Sequence, residues 1–179
     1  MKILFITAEG FDTPNPNNQM AEVMINNFLD AGHQVHLVQS HRKGVNPDLP
    51  SSLNGRRNLS VDTIVRTVVD KSNFIKRYFN DVRYHLKSMK CYRTIKDADL
   101  IYLQSNPTIY FPMMFIKLFM KGMPIVYSIY DVFPGHAYDI GVIHSKLLYN
   151  IFKLIQKPCY KWATAITVLS DDMKDRIVR

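Results

Sequence analysis

The chain has 179 residues, of which 47% are apolar and 21% are charged, and its formal net charge is +8. This length and apolar content predict one domain with its own core and exclude a disordered or collagen-like protein. Two cysteines, Cys91 and Cys159, are too few for a disulfide framework, and we expect small buried hydrophobic residues in a reducing compartment. No segment has the roughly 20 apolar residues of a membrane span, and the N-terminus lacks a signal-peptide pattern. These features predict a cytoplasmic protein.

The first 39 residues predict a βαβ unit. The apolar run Lys2–Thr7 is typical of a buried strand, and a polar loop follows it. Asn17 or Asn18 is expected to cap a helix that Gly32 ends, and residues 34–39 resume a strand pattern. The predicted inner face of this helix consists of Met20, Val23, Met24 and Phe28.

Strands and helices continue to alternate along the rest of the chain. The predicted elements are a loop over 40–58, a strand within 59–69, a helix within 71–96, a strand over 99–104, a helix over 109–121, a strand over 124–129, a helix over 145–161, a strand over 165–169 and a helix from Asp171. This alternation predicts an α/β protein with a doubly wound, mostly parallel sheet and helices on both faces. The chain stops inside its last helix, which suggests half of a longer protein.

The positive charge is concentrated between Lys71 and Lys96. Eight basic residues stand there against one acid, Asp81, so this segment carries +7 of the net +8. Its apolar residues recur every three or four positions, as on one face of a helix. The basic residues are Lys71, Lys76, Arg77, Arg83, Lys87, Lys90, Arg93 and Lys96, and the apolar ones are Ile75, Tyr78, Phe79, Val82, Leu86 and Met89.

Two interpretations of this basic helix stay open. In the first, its apolar face packs on the core and its basic face is solvated. In the second, it lies on an anionic membrane surface, where each Lys or Arg contributes about 1 kcal/mol. No nucleic acid partner is expected, because the aromatic residues share the apolar face and no zinc-finger or RNA-binding motif occurs.

Polar side chains follow the predicted strands at their carboxyl ends, where open α/β sheets bind ligands. Hydroxyls, amides, carboxylates and an imidazole meet at this edge, a mixture that suits a polyhydroxylated substrate. The candidates are Glu9, Asp12, Asn15, Asn17, Asn18 and Gln19 after the first strand, Ser105 and Asn106 after the fourth, Tyr130, Asp131 and His136 after the fifth, and Ser170 and Asp171 after the sixth.

Each candidate also has a structural interpretation. Asp131 is either a base or substrate anchor, or it caps the turn before Pro134. His136 is either an acid or base, or an ordinary loop histidine. Ser170 is expected chiefly to cap a helix. No metal site is expected at the nearby histidines, His33 and His36, because their spacing puts them on opposite faces of a strand.

Several motif classes are missing. The chain has no G-x-G-x-x-G after its first strand, no phosphate-binding P-loop and no G-x-S-x-G nucleophile elbow. The chain therefore lacks the characteristic sites of dinucleotide oxidoreductases, P-loop nucleotidases and α/β-hydrolases.

Four segments together resemble one family. They are Met1–Thr7 with its long polar loop and the later Ala31-Gly32-His33, the run Asp99–Pro107, the segment Tyr130-Asp131-Val132-Phe133-Pro134, and the strand Ile166–Ser170 ending in serine. In this order and spacing, covering nearly the whole chain, they are similar to the family 4 glycosyltransferases of the GT-B fold. Asn17, Asn18 and Gln19 stand where that family has a glycine pair, and Tyr130 stands where many members have histidine.

The resemblance implies two Rossmann-like domains, of which residues 1–179 form the N-terminal, acceptor-binding one. The missing C-terminal domain would bind the nucleotide-sugar donor, so this chain alone is expected to be inactive, with no cofactor and no metal. Asp131 is the expected catalytic residue. The expected substrate-binding residues are Asn17, Asn18, Gln19, Ser105, Asn106, Tyr130 and His136.

Many members of the family work at the inner face of the cytoplasmic membrane on lipid-linked glycans in surface polysaccharide synthesis. The resemblance therefore favours the membrane interpretation of the basic helix, helped by the apolar segment 109–120. The expected membrane contacts are Lys76, Arg77, Arg83, Lys87, Lys90 and Arg93. Two alternatives remain, namely a non-catalytic subunit that recruits a donor-binding partner to the membrane, and a Rossmann module that binds a small ligand.

Overall fold

A computed structural model describes residues 1–12, 15–45, 48–67, 69, 73–95 and 97–178, without the side chains of residues 93, 94 and 178. These residues form six strands and six helices. In chain order they are β1 (Lys2–Ile6), α1 (Pro16–Asp30), β2 (Gln34–Arg42), β3 (Leu59–Arg66), α2 (Phe74–Thr94), β4 (Leu100–Gln104), α3 (Tyr110–Phe119), β5 (Ile125–Ile129), α4 (Gly135–Asp139), α5 (Lys146–Trp162), β6 (Ala165–Val168) and α6 (Asp171–Val178).

The six strands form one all-parallel sheet in the order β3-β2-β1-β4-β5-β6. Its order reverses between β1 and β4, so the chain builds outward from β1 in both directions. This is the arrangement of Rossmann-like doubly wound sheets, and the predicted fold class is confirmed. The carboxyl ends of all six strands meet at one edge, which places the loops after β1, β4 and β5 beside one another.

The two faces of the sheet are covered unequally. On one face α1 packs together with Leu53 from the loop before β3, burying Ala21, Ile25 and Leu29 against Phe5 and Leu37. On the other face α2, α3 and α5 form a layer over a larger core. That core includes Leu4, Ile6, Val38, Tyr92, Ile101, Leu103, Met113, Ile116, Tyr127 and Cys159. Neither Cys91 nor Cys159 is in a disulfide, and Cys159 is buried while Cys91 is partly buried.

The charged residues of the helices are also distributed unequally between the two faces of the sheet. The helix α1 carries two acidic residues and no basic one, whereas α2 has six basic residues and one acid. The helix α5 contributes four lysines and α3 one, with no acid in either. The basic side of the molecule is therefore the α2, α3 and α5 layer.

The first helix differs from its prediction. Its N-cap is Asn15, whose side chain accepts a hydrogen bond from the backbone N–H of Asn18, and not Asn17 or Asn18. Ala21, Ile25 and Leu29 face the sheet. Of the predicted inner residues, Met20 and Val23 are exposed, and Met24 and Phe28 are only partly buried. The helix has two adjacent apolar stripes, and the stripe that packs on the sheet is not the one that sequence periodicity predicted.

Most other boundaries agree with the predictions to within a few residues. Gly32 follows α1 with a φ of +80°, and Ser145 and Ser170 cap the last two helices through their side chains. The strand β2 is longer than predicted because it continues to Arg42 alongside β3. The short helix α4, which was predicted as loop, follows a cis Phe133–Pro134 bond.

Candidate functional site

A cleft of about 240 Å³ lies at the carboxyl edge of the sheet, between α2 and the loop after β5. Its position is where parallel α/β sheets bind ligands. It is lined by Thr7, Ala8, Glu9, Asn17, Arg66, Phe74, Arg77, Tyr78, Asp81, Gln104, Ser105, Asn106, Pro107, Tyr127, Asp131, Phe133, His136, Ala137, Ile140 and Val142.

The floor of the cleft comes from the ends of β1 and β4. The side chain of Gln104 donates to the hydroxyl of Tyr130 at 3.1 Å and to the carbonyl of Asn17 at 3.4 Å. The hydroxyl of Ser105 accepts the backbone N–H of Tyr130 at 2.9 Å. These bonds tie the start of α1 and the loops after β4 and β5 together, so the floor is held by three separate parts of the chain.

The helix α2 forms one wall and presents polar residues inward. The Tyr84 hydroxyl donates to the carbonyl of Thr7 at 2.6 Å, and Arg66 donates to the carbonyl of Ala8 at 2.9 Å. Arg66 also lies 2.6 Å from a carboxylate oxygen of Asp81, an ion pair whose angle does not make it a hydrogen bond. Buried polar groups need such partners, and here Tyr84 of α2 and Arg66 of β3 supply them to the loop after β1.

Two neighbouring groups on this wall have shifted pKa values. Burial raises the pKa of Asp81 to about 6; Arg66 and Arg77 oppose the rise and Glu9 adds to it. Burial also lowers the pKa of His85 to about 4, although a hydrogen bond to the side-chain oxygen of Asn106 opposes this shift. A carboxyl group with a raised pKa in a cleft is a feature common to functional sites.

A second wall, which includes the N-terminal end of α2, is aromatic. The rings of Phe74, Tyr78 and Phe133 line the cleft, and Phe152 from α5 lies behind them with ring centroids 5.1 to 6.0 Å from each. Such separations are typical of favourable ring pairs. The cluster joins α2, the loop after β5 and α5, and it gives the cleft one apolar side.

Five of the eight predicted catalytic and substrate-binding residues line the cleft, namely Asn17, Ser105, Asn106, Asp131 and His136. Asp131 and His136 have exposed side chains at its rim. The side-chain oxygen of Asn106 also accepts from the N–H and hydroxyl of Thr108, at 3.0 and 2.9 Å. Asn106 therefore shapes its own turn as well as facing the cleft.

The structure places the other three elsewhere. Asn18 is buried, and its amide donates to the carbonyl of Gly10 at 2.7 Å, so it supports the loop after β1. Gln19 is exposed on α1 and is not among the cleft residues, and the Tyr130 hydroxyl is turned to Gln104.

The apolar face predicted for the basic helix is wrong in its orientation. Ile75, Phe79 and Leu86 are exposed, with 68% of Phe79 accessible, and Tyr78, Val82 and Met89 are only partly buried. The face turned inward is instead Asp81, Tyr84, His85, Ser88 and Tyr92, of which Asp81 lines the cleft while the other four are buried and do not line it. Among the expected membrane contacts, Lys76, Arg83, Lys87 and Lys90 are exposed, whereas Arg77 lines the cleft. The side chain of Arg93, and residues Lys71 and Lys96, lie outside the described residues.

Sequence reasoning missed Arg66, Asp81 and the aromatic wall. One signal was available, since Asp81, Tyr84, His85, Ser88 and Tyr92 recur every three or four residues. Polar and aromatic residues at helical spacing mark a face as readily as aliphatic ones do. Nothing in the sequence places Arg66 beside that face, because the way α2 packs against the end of β3 is set by tertiary structure.

Among the described residues, no three His, Cys, Asp or Glu side chains are grouped closely enough to hold a metal ion. Within the same residues, no helix combines the length and apolar character that crossing a bilayer requires.

Comparison with known proteins gives a family. No curated protein matches the chain. Among solved structures, MurG of Acinetobacter baumannii shares 12% identity at a TM-score of 0.48, with 93% of this chain and 41% of that chain covered. An alpha-glucosyltransferase in complex with UDP and a mismatched DNA shares 17% identity at a TM-score of 0.45, with 96% and 37% covered. The chain thus spans about two fifths of the length of each of these two. The model of Glycosyltransferase Family 4 matches residues 19–179, and the chain therefore belongs to that family.

Proposed function

We propose that residues 1–179 are the acceptor-binding half of a glycosyltransferase that moves a sugar from a nucleotide-sugar donor to a lipid-linked glycan in surface polysaccharide synthesis. The observation that carries this proposal is the cleft at the carboxyl edge of the sheet, lined by amides, hydroxyls and carboxylates. Family membership supports sugar transfer in general. A second domain, which binds the donor, completes the active site from outside this chain.

Within the cleft, each side chain has a proposed role. Asp131 at the rim accepts a hydrogen bond from the attacking acceptor hydroxyl, since carboxylate oxygens are hydrogen-bond acceptors. His136, Asn17, Ser105 and Asn106 bind the remaining hydroxyls of the acceptor glycan. The three predicted residues outside the cleft, Asn18, Gln19 and Tyr130, keep a proposed role in substrate binding, which for Asn18 and Tyr130 is indirect, through the loops they support.

The test of transfer uses the protein with its donor domain and a set of nucleotide-sugars, with sugar incorporation into a membrane extract followed by mass spectrometry. Transfer is expected, with a loss of at least tenfold in Asp131→Asn. The matched control is Asp139→Asn, an exposed aspartate on α4 outside the cleft lining, which should retain full activity. The chain alone should bind nucleotide-sugars weakly. Tight binding by calorimetry contradicts the acceptor role and supports a small-ligand module.

We also propose that the basic layer contacts the inner face of the cytoplasmic membrane. On α2, exposed Ile75, Phe79 and Leu86 stand among exposed basic residues. On α5 the same mixture recurs: Leu147, Ile151 and Leu154 are exposed beside Lys146, Lys153, Lys157 and Lys161. Apolar side chains that enter the headgroup region, flanked by lysines that attract anionic lipid, are typical of interfacial helices.

Vesicle co-sedimentation tests this contact. Binding to vesicles containing phosphatidylglycerol should weaken with salt. The double variant Lys87→Glu/Lys90→Glu should weaken it about 30-fold or more, since each lost basic residue costs about 1 kcal/mol. The control Lys43→Glu/Arg57→Glu makes the same charge change on exposed residues outside the three helices and should bind as the parent does. Equal losses in both variants, or binding to neutral vesicles that ignores salt, argue against the surface.

A further inference from the structure

A second pocket, of about 520 Å³, lies at the amino edge of the sheet, opposite the cleft described above. Residues at or near the starts of β1, β2 and β3 line it, among them Lys2, Gln34, His36, Arg57 and Ser60. Its lining is mostly polar and shares no residue with the cleft. The proposed sugar transfer therefore gives this pocket no role.

Three side chains of β2 and β3 form a hydrogen-bonded series beside this pocket. The Ser60 hydroxyl lies 2.7 Å from Nδ1 of His36, and Nε2 of His36 lies 3.0 Å from a carboxylate oxygen of Asp62. The parallel register aligns His36 with Ser60, and Asp62 follows Ser60 by two positions, so all three side chains stand on one face of the sheet. A hydroxyl bonded to an imidazole that a carboxylate orients is the arrangement of a serine nucleophile and its base.

The two bonds of His36 assign a function to each of its nitrogens. A carboxylate oxygen accepts, so Nε2 carries the proton and donates to Asp62, and Nδ1 accepts from the hydroxyl of Ser60. The usual triad uses the two nitrogens the other way round, but neutral imidazole offers one donor and one acceptor in either case. Only 18% of the His36 side chain is accessible, whereas Ser60 is exposed. From α2, Cys91 also hydrogen-bonds to Asp62 and helps to hold the carboxylate in place.

Donors for a developing negative charge lie beside Ser60. The strand β3 is an edge strand, and such strands present backbone N–H groups outward. Since the N–H of Val35 bonds to the carbonyl of Asn58, the register turns the N–H of Val61 away from β2 and toward the open edge. The N–H that follows a nucleophile is a common oxyanion donor, and the guanidinium of Arg57 lines the same pocket.

We propose that Ser60, His36 and Asp62 hydrolyse a small acyl ester of a polar alcohol that binds in this pocket. The oxygen of Ser60 bonds to the acyl carbon while its proton passes to Nδ1 of His36. The bond from the acyl carbon to the alcohol oxygen then breaks, and the alcohol leaves with that proton. Water, which gives a proton to His36 in turn, attacks the acyl-serine, so a carboxylic acid is released and the serine hydroxyl is restored. Asp62 takes no proton and holds the imidazole through Nε2.

Hydrolysis of p-nitrophenyl acetate by the chain tests this activity without a donor domain or a nucleotide-sugar. Repeated turnover is expected. Ser60→Ala should lower the rate by about tenfold or more, and so should Asp62→Asn, because it no longer fixes the tautomer of the base. The matched control is Ser52→Ala, an exposed serine bonded to Glu22 and Asn26, which should hydrolyse the ester as the parent does. A parental rate in Ser60→Ala overturns the proposal.

Labelling of the parent chain gives a second result that does not depend on the folding of any variant. An alkyl fluorophosphonate transfers its phosphonyl group to an activated serine oxygen with loss of fluoride, and peptide mass spectrometry locates the adduct. Ser60 should react about tenfold or more faster than Ser52. Equal labelling of the two serines, or labelling of Ser60 without repeated turnover of the ester, contradicts the proposal. Neither measurement involves sugar transfer, so its failure leaves the proposed function untouched, and failure of transfer leaves this inference untouched.

Discussion

Replacing Asp81 by asparagine should stabilise the folded protein at neutral pH, although it removes one partner of an ion pair. The pKa of Asp81 rises from 3.8 to about 6 because burial penalises the carboxylate more than Arg66 and Arg77 favour it. At 1.36 kcal/mol per pKa unit, holding this carboxylate ionised costs about 3 kcal/mol. Removing one partner of a buried ion pair is destabilising where the other charge is left without a partner, but the side chain of Arg66 is 20% exposed and keeps its hydrogen bond to the carbonyl of Ala8.

Proton linkage determines whether the stability contributed by each group rises or falls with pH. Between pH 4 and 6 the folded state holds a proton on Asp81 that the unfolded state has lost, so the stability contributed by Asp81 falls as pH rises. His85 acts in the opposite direction, because its folded pKa of about 4 lies below the unfolded 6.5. Its contribution, also about 3 kcal/mol, is present above pH 6.5 and is lost as pH falls toward 4. In the parent protein the two contributions largely cancel between pH 4 and 6.

Urea denaturation of the parent and of D81N at half-unit steps from pH 4 to 8 measures this. The advantage of D81N over the parent should grow by up to about 3 kcal/mol from pH 4 to 7. That is a midpoint shift of roughly 1 to 2 M for an m-value of about 2 kcal/mol/M. His85→Gln should change the profile in the opposite sense, gaining relative to the parent as pH falls. If D81N is less stable than the parent by the same amount at every pH, Asp81 is an ordinary stabilising partner and this reasoning is wrong.

Two further predictions concern the loop after β1. Gly10→Ala should destabilise the fold by more than about 3 kcal/mol in urea denaturation, because the new Cβ lies 1.8 Å from the carbonyl oxygen of Ser40. Gly32→Ala meets no neighbouring atom and should cost only about 1 kcal/mol for its positive φ; equal losses in the two argue against the clash. Tyr84→Phe leaves the carbonyl of Thr7 without its 2.6 Å partner and should cost about 1 to 3 kcal/mol, with hydrogen exchange rising in that loop. An unchanged melting temperature in Tyr84→Phe indicates that the bond contributes nothing net.

The sheet could be predicted from sequence because its strands are short apolar runs between polar loops. The central strands β1, β4 and β5 are buried on both faces, so their apolar pattern is continuous and does not depend on which residues point to which side. A helix, in contrast, has several faces that could turn inward, and the sequence did not determine which of them packs on the core. The helix α2 has an apolar face with Ile75, Phe79 and Leu86, but that face is exposed. The face that packs inward contains polar aromatic side chains, among them Tyr84 and His85. Hydrophobic periodicity alone does not reveal that an inner face borders a polar cleft.

The candidate site was predictable to the extent that it follows from topology. Loops after parallel strands share one edge, so Ser105, Asn106 and Asp131 were expected together, and they line one cleft. Arg66 ends β3 at this same edge, but the strand was predicted within 59–69, which placed Arg66 inside it. Asp81 lies within α2 and not in a loop after a strand. Their proximity depends on where α2 packs, which the positions of individual residues along the chain do not specify.

The unequal charge of the two sheet faces gives the molecule an electric dipole across the sheet, from acidic α1 to the basic three-helix layer. In the field of an anionic bilayer such a dipole experiences a torque within about one Debye length of the surface. Under the proposed membrane contact, the protein would be turned before it touches the lipid, and fewer of its encounters would be unproductive. High salt should therefore slow vesicle association in stopped-flow measurements by removing this alignment, in addition to weakening the complex once it has formed.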